Sequence, residues 1–196
     1  RMFEQYHRET KLHGDDAHFG VSMAMHVGLA GTYLVAAGLD ELDLPCETRQ
    51  KAVHYLNDAI LTTIHGQFND ISNEAVRLVG EKQVCRTLTW KAAYYTFLQP
   101  FQFGLMLAGD ENADSQIVRD YAINVGLAYQ IADDIIGTFG EEENSGKSNT
   151  DDIKEGKITL LVSRALQKAS GEQKSELLAA LGNRNLTGEE FLNFRK

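Results

Sequence analysis

Residues 129–140 read YQIADDIIGTFG, followed at once by EEENSGKSNTDDIKEGK through Lys157. Asp133 and Asp134 stand side by side in a run otherwise made of Ile131, Ala132, Ile135 and Ile136, which reads as a buried helix. Unpaired carboxylates in such a place cost several kcal/mol each, so something must offset their charge. Gln130, Asp133, Asp134 and Gly137 share one helical stripe, and both carboxylates project into the same space as the Gln130 amide. An adjacent Asp pair more often caps a helix or sits in a solvated turn. The place of this pair late in a long apolar helix argues against a cap. Downstream lie a polar loop and two Gly-Lys pairs, Gly146-Lys147 and Gly156-Lys157, flanking Asp151 and Asp152. Acids on a wall beside loop lysines suit a divalent metal carrying a phosphorylated ligand.

Working outward, the chain reads as helical nearly throughout. Asp15 or Asp16 caps a helix running through Val21, Met25 and Leu29 to about Ala37, with Gly38 as its stop. Pro45 and Glu47 open a second helix, whose apolar positions Val53, Leu56, Ile60, Ile64, Phe68 and Ile71 step by three and four. A shorter helix covers residues 81–86, and an apolar one follows that Pro100 is expected to kink. Asp114 or Ser115 caps the helix that carries the acids. A loop over residues 140–151, a helix over 158–169, another over 172–181 and the start of a further one complete the reading. No hairpin signal and no repeat is visible. Long helices with short connections mean an all-α bundle, expected here as a single domain over residues 1–196.

Composition limits the function classes. A chain of 196 residues supports a real core. A net charge of −9 argues against nucleic acid as a partner. Two cysteines, Cys46 and Cys85, make no disulfide framework and have no metal-like spacing, which fits a reducing, cytoplasmic setting. The sequence reading expects no signal peptide. Residues 87–109 imitate a membrane span, with Lys91 as their single charge. Gln99, Pro100 and Gln102, and the lack of flanking basic clusters, make a buried helix the better reading, so no membrane span is expected. The scattered histidines form no metal pair.

Two further helices place polar groups on expected core faces. Gln67 follows Ile60 and Ile64 on the second helix, with Asp70 a turn on. Such a pair alone is more often a hydrogen-bond knot than a binding site. Lys91 has Tyr95 one turn later, and a snorkelling lysine would explain it as well as an anion ligand. Three helices that each bring polar groups inward describe a bundle with a charged cavity at one end.

At this point the motifs resemble those of the trans-isoprenyl diphosphate synthases, or polyprenyl synthetases, the family of the farnesyl and geranylgeranyl diphosphate synthases. GLAYQIADDIIGTFG and GKSNTDDIKEGKITLL resemble the family's second aspartate-rich region. WKAAYYTFLQP resembles its Lys-Thr motif, GQFND its GQxxD motif, and FGVSMAMHVGLAG its segment ending in Gly-Asp. The resemblance implies long antiparallel helices around a central cavity, usually in a homodimer. It implies Mg²⁺-dependent head-to-tail condensation of isopentenyl diphosphate with an allylic diphosphate.

Carried over by position, the resemblance implies that Asp133 is a metal ligand with Asp134 beside it. Gln130 faces the allylic carbon, Lys91 and Lys147 contact the diphosphate, and Tyr95 stands near the cation. Gln67 and Asp70 line the same wall, and Asp151, Asp152 and Lys157 complete the loop, with the family's acid falling on either Asp151 or Asp152. The chain departs from the pattern at Gly137, where many members have Asp, at Ala92, where they have Thr, and at Leu29, where they have Asp. It shows no first DDxxD motif. The expectation is therefore the C-terminal two-thirds of such a synthase, inactive as it stands, and a DDxxD motif in the full reading frame would settle enzyme against subunit. Two other readings fit the same residues: a non-catalytic subunit or degenerate paralogue, and a class I terpene cyclase.

Overall fold

The computed structural model describes residues 1–140 and 148–196, and every described element is helical. The chain folds as two compact units, residues 1–54 and 55–196.

In the first unit, α1 (Met2–Glu9) packs on α2 (Asp16–Asp40). Asp15 supplies the cap, accepting from the His18 amide at 2.6 Å. Gly20 makes the close approach possible, since a Cβ there would sit 3.0 Å from the Glu4 Cβ. Arg8 bridges Glu4 and Asp16. The sequence reading missed α1 and stopped α2 too early: Gly38 stays helical and the helix ends at Asp40. By length and composition α2 is also the described helix apolar enough to cross a membrane, with a mean hydropathy of 1.4 over its best window. The sequence reading named residues 87–109 as the membrane-like run and did not single out α2. Val21, Met25, Leu29, Tyr33 and Leu34 on α2 are all exposed.

α3 (Cys46–Val76) carries on into the second unit. Val53, Leu56 and Ile60 of its expected core stripe are half-buried, but beyond them the stripe is not the face that packs. Ile64, Phe68 and Ile71 are exposed, whereas Gly66 and Asn73 are buried and Ala59, Thr63 and Asp70 half-buried. Those five positions step by four and three, so the inward face of α3 is small and polar. Asn73 donates to the Thr87 hydroxyl at 3.0 Å, and Gln99 donates to the Ala59 carbonyl at 3.1 Å.

α4 (Glu81–Leu88) runs directly into a π-helical stretch, Thr89–Leu98, and then α5 (Gln99–Leu107). The buried positions record the change of register: Val84, Leu88, Ala93, Leu98 and Gln102 step by four, five, five and four. At the end of the stretch the Gln99 amide donates to the Tyr94 carbonyl, five residues back. The irregularity therefore lies upstream of Pro100. The proline, which lacks a donor, starts a new α-helical segment instead of breaking one.

A 3₁₀ turn, Glu111–Asp114, leads to α6 (Gln116–Phe139), which Ser115 caps through the Val118 amide. Of the two candidate caps, Ser115 is the one used; Asp114 instead accepts from buried Gln102 at 2.9 Å. The Gln102 oxygen in turn accepts from the Tyr55 hydroxyl at 2.9 Å. After the segment 141–147 come α7 (Asp151–Glu155), α8 (Leu160–Lys168), α9 (Gly171–Ala180) and α10 (Gly188–Phe194). Thr159 caps α8, so that helix starts two residues later than expected. Capping boxes start α9 at Ser170 and Gln173, and α10 at Thr187 and Glu190. Val84, Leu88, Ile158, Leu160, Val162, Leu166 and Leu181 form the main core, against which Leu127 and Ile131 of α6 pack.

Candidate functional site

The buried stripe of α6 is Ala122, Gly126, Asp134 and Thr138, in steps of four and eight. Asp134 therefore points inward, while Asp133, Ala132, Ile135 and Ile136 are exposed. The helix is buried along one face and not all round, as the apolar run had suggested. A cavity of about 430 Å³ lies beside that stripe. Gln130, Asp133, Asp134 and Gly137 all line it, together with Asp70, Lys91, Asp151, Asp152 and Lys157.

Gln130 Nε2 donates to Asp134 Oδ1 at 3.0 Å, which leaves Asp134 Oδ2 buried with no hydrogen-bond partner. A carboxylate only accepts, so this bond fixes the amide end for end and turns Gln130 Oε1 away from Asp134. Burial pushes the Asp134 carboxyl up to about 6, against the opposing hydrogen bond from Gln130 and with help from the charges of Asp152 and Asp133. A strongly perturbed acid with an orphaned oxygen at a cavity wall marks a functional site.

Two lysines are held by acids. Lys91 forms an ion pair with Asp70, linking the π-helical stretch to α3. Lys157 contacts Asp152 Oδ1 at 2.5 Å and Glu155 Oε2 at 3.0 Å. Burial alone would lower the Lys157 ammonium, but Asp152 and Glu155 together raise it above its ordinary value. Gly156, at φ 81°, explains the geometry: it ends α7 in the left-handed region and folds Lys157 back over Asp152. Of the two adjacent acids, Asp152 is half-buried and bound to Lys157, while Asp151 is exposed at the start of α7. A Cβ on Gly137 would meet Asp152 Oδ2 at 3.4 Å, so that carboxylate lies against the position at which the resemblance implies an acid.

Two expected residues are not brought into this group. Gln67 is exposed on α3 and does not line the cavity, because Gly66 and Asp70, not Gln67, lie on the packed face. Tyr95 is likewise exposed and outside the lining. Lys147 lies outside the described residues. The sequence reading missed Glu155, which lines the cavity and holds Lys157. Its place one residue before a Gly-Lys pair was the available signal. It also missed Glu74, one turn beyond Asp70, whose carboxyl is raised by burial and by the Asp70 charge. A larger cleft of about 810 Å³, lined by residues of α8, α9 and α10, contains none of the residues singled out in the sequence.

The oxygen-rich lining fits Mg²⁺. Among the described residues no three acids converge closely enough to cage an ion alone. Mg²⁺ is commonly held by one or two carboxylates, with waters and substrate phosphates completing its shell. Asp133, the free oxygen of Asp134 and Asp152 offer such donors.

Acids of α6 and α7 and two acid-held lysines thus share one cavity on an all-helical frame. The chain belongs to the polyprenyl synthetase family, which it matches over residues 12–193. It is 32% identical over 180 residues to a geranylgeranyl diphosphate synthase of Sulfolobus acidocaldarius, covering 89% of this chain and 53% of that protein. It is 33% identical over 129 residues to a farnesyl pyrophosphate synthase of Panax ginseng, covering 62% of this chain and 36% of that protein. Its structure resembles that of a Corynebacterium glutamicum geranylgeranyl pyrophosphate synthase complexed with isoprenyl diphosphate and magnesium, with a TM-score of 0.88 at 27% identity over 100% of this chain and 55% of that one. The chain thus spans about half the length of the relatives it matches.

Proposed function

We propose that the cavity binds an allylic diphosphate with Mg²⁺, and that the protein uses it to condense that substrate head-to-tail with isopentenyl diphosphate. The observation that carries the reading is the buried, unpartnered Asp134 oxygen beside Asp133 and Asp152, facing the same cavity as Lys91 and Lys157. The geranylgeranyl and farnesyl diphosphate synthase relatives favour prenyl transfer over a cyclase or a non-catalytic subunit.

Asp133, with Asp134 and Asp152, would hold Mg²⁺, which when bound neutralises charge on the departing diphosphate. Asp151 stands at the rim as a further candidate ligand. The C–O bond to the allylic carbon breaks with its electron pair leaving on pyrophosphate. The isopentenyl double bond attacks that carbon, and a proton is lost to restore a double bond. Lys91 and Lys147 would pair with the diphosphate, with Lys157 supporting it from just beyond α7. Gln130 Oε1, turned from Asp134, offers a carbonyl dipole to positive charge at the allylic carbon. Gln67 and Tyr95 have a weaker case, since neither lines the cavity.

Two further readings accompany this one. The exposed apolar residues of α2 support a second copy of the chain as partner. The free thiols Cys46 and Cys85 support a cytoplasmic setting. The activity is tested by incubating the protein in its longest natural reading frame with radiolabelled isopentenyl diphosphate, an allylic diphosphate and Mg²⁺. Elongated prenyl diphosphate is expected, and its absence in an assay where a known synthase succeeds refutes the proposal.

A further inference from the structure

We infer that Gly66 on α3 and Gly126 on α6 are positioning residues for Lys91, acting by admitting the backbone of the π-helical turn that carries it. The inference rests on the diphosphate reading above. A Cβ at Gly66 would lie 2.6 Å from the Lys91 amide nitrogen, 2.7 Å from the Trp90 carbonyl carbon and 2.8 Å from the Lys91 Cα. A Cβ at Gly126 would lie 2.6 Å from both Cα and Cβ of Ala93. At both places the obstruction includes backbone, which cannot swing aside as a side-chain tip can.

The two glycines occupy matching places. Gly66 comes one helical turn before Asp70, the partner of Lys91. Gly126 comes one turn before Gln130 and two before Asp134, which are bonded to each other. Each glycine thus lies on the same face of its helix as the cavity residues that follow it. The close approach that seats the π turn on α3 also brings the Lys91 ammonium to the Asp70 carboxylate. The approach on α6 sets that turn's distance from the Gln130 and Asp134 wall. A helix-interior glycine is normally unfavourable beside alanine, so both positions call for a local reason, and the close backbone approaches supply it. Gly104 on α5 is the natural comparison: it is exposed, and an added Cβ there meets nothing within 4 Å.

The test is calorimetric titration of inorganic pyrophosphate with Mg²⁺ into the 196-residue chain and its variants. Gly66→Ala and Gly126→Ala should each weaken binding roughly ten- to a hundredfold, the penalty typical of a misplaced contact. Gly104→Ala should leave it unchanged. The deciding arm is a double-mutant cycle: in a Lys91→Met background, Gly66→Ala should cause no further loss. Equal losses in both backgrounds would mean a general packing role and would overturn the inference. Carbon-13 methylation of the lysines gives a readout that needs no ligand. The Lys91 methyl signal should stand apart from those of exposed lysines in the wild type and move towards them in Gly66→Ala. An unchanged signal, or loss of folding in both glycine variants, also overturns it. Should the wild type bind no pyrophosphate, the diphosphate reading fails, and the methyl signal still decides the placement of Lys91.

Discussion

Gln130 reaches one helical turn along α6 to donate to Asp134 Oδ1 at 3.0 Å, while Asp134 Oδ2 remains buried without a hydrogen-bond partner. This half-satisfied carboxylate is the tension in the site. It is tolerable in the absence of ligand because its proton affinity rises, and it leaves one oxygen available to a cation.

The tension sets a pH dependence of stability. The Asp134 carboxyl moves from 3.8 to about 6 on folding, a difference of about 3 kcal/mol as an order of magnitude. The native state therefore binds the proton more tightly than the unfolded chain. Its stabilising contribution is complete below pH 3.8 and is lost as pH rises through about 6. Asp134→Asn, which mimics the protonated form, should be more stable than wild type by up to about 3 kcal/mol at pH 8 and nearly equal to it at pH 4. Urea unfolding across that range checks this, and a gap that does not change with pH contradicts it.

Asp133 should behave differently. It is exposed, so Asp133→Ala should leave folding nearly untouched while lowering prenyl transfer at least about a hundredfold. Turnover across a Mg²⁺ titration, alongside circular dichroism, separates the two effects. Near-wild-type turnover at every Mg²⁺ concentration removes Asp133 from the ligand set.

Much of this site was legible before the structure. The spacing of Gln130, Asp133, Asp134 and Gly137 follows helical geometry, and Ser115, one of two expected caps, follows capping chemistry, both of which are local. Two features were not legible. The inward face of α3 is a stripe of Ala59, Thr63, Gly66, Asp70 and Asn73, and a search for hydrophobic periodicity finds Ile64, Phe68 and Ile71 instead. The π stretch Thr89–Leu98 is seated closely against Gly66 and Gly126, a tertiary contact that no local propensity encodes. Pro100 drew attention to the wrong residue of the right helix.

The Tyr55–Gln102–Asp114 chain gives a stability prediction away from the chemistry. Tyr55→Phe leaves the Oε1 of buried Gln102 without its donor and should cost about 1–3 kcal/mol. Burial also raises the Tyr55 hydroxyl to about 12, so its contribution holds up to its ordinary value of 10.0 and is lost as pH climbs through 12. Denaturant midpoints of the two proteins at neutral pH test the main effect. Equal midpoints would show that Gln102 finds another partner.

Ala92 is buried and lines the cavity next to Lys91. Ala92→Thr adds the hydroxyl that the resemblance implies at this position. The overpacking should cost no more than about 1–3 kcal/mol, and the rate of prenyl transfer should hold or rise, since a dipole is placed near developing positive charge. Steady-state kinetics on a folded variant decide it. A large loss of activity would show that the geometry around Lys91 differs from the family's.

The most direct test of the account is whether this cavity binds diphosphate through metal and lysine together. Calorimetric titration of inorganic pyrophosphate into the wild-type chain should show binding that requires Mg²⁺, that is weakened at least about tenfold but still measurable in Lys91→Met, and that is lost in Asp133→Ala. Binding that is indifferent to Mg²⁺, or that survives both substitutions, would contradict the assignment of the site.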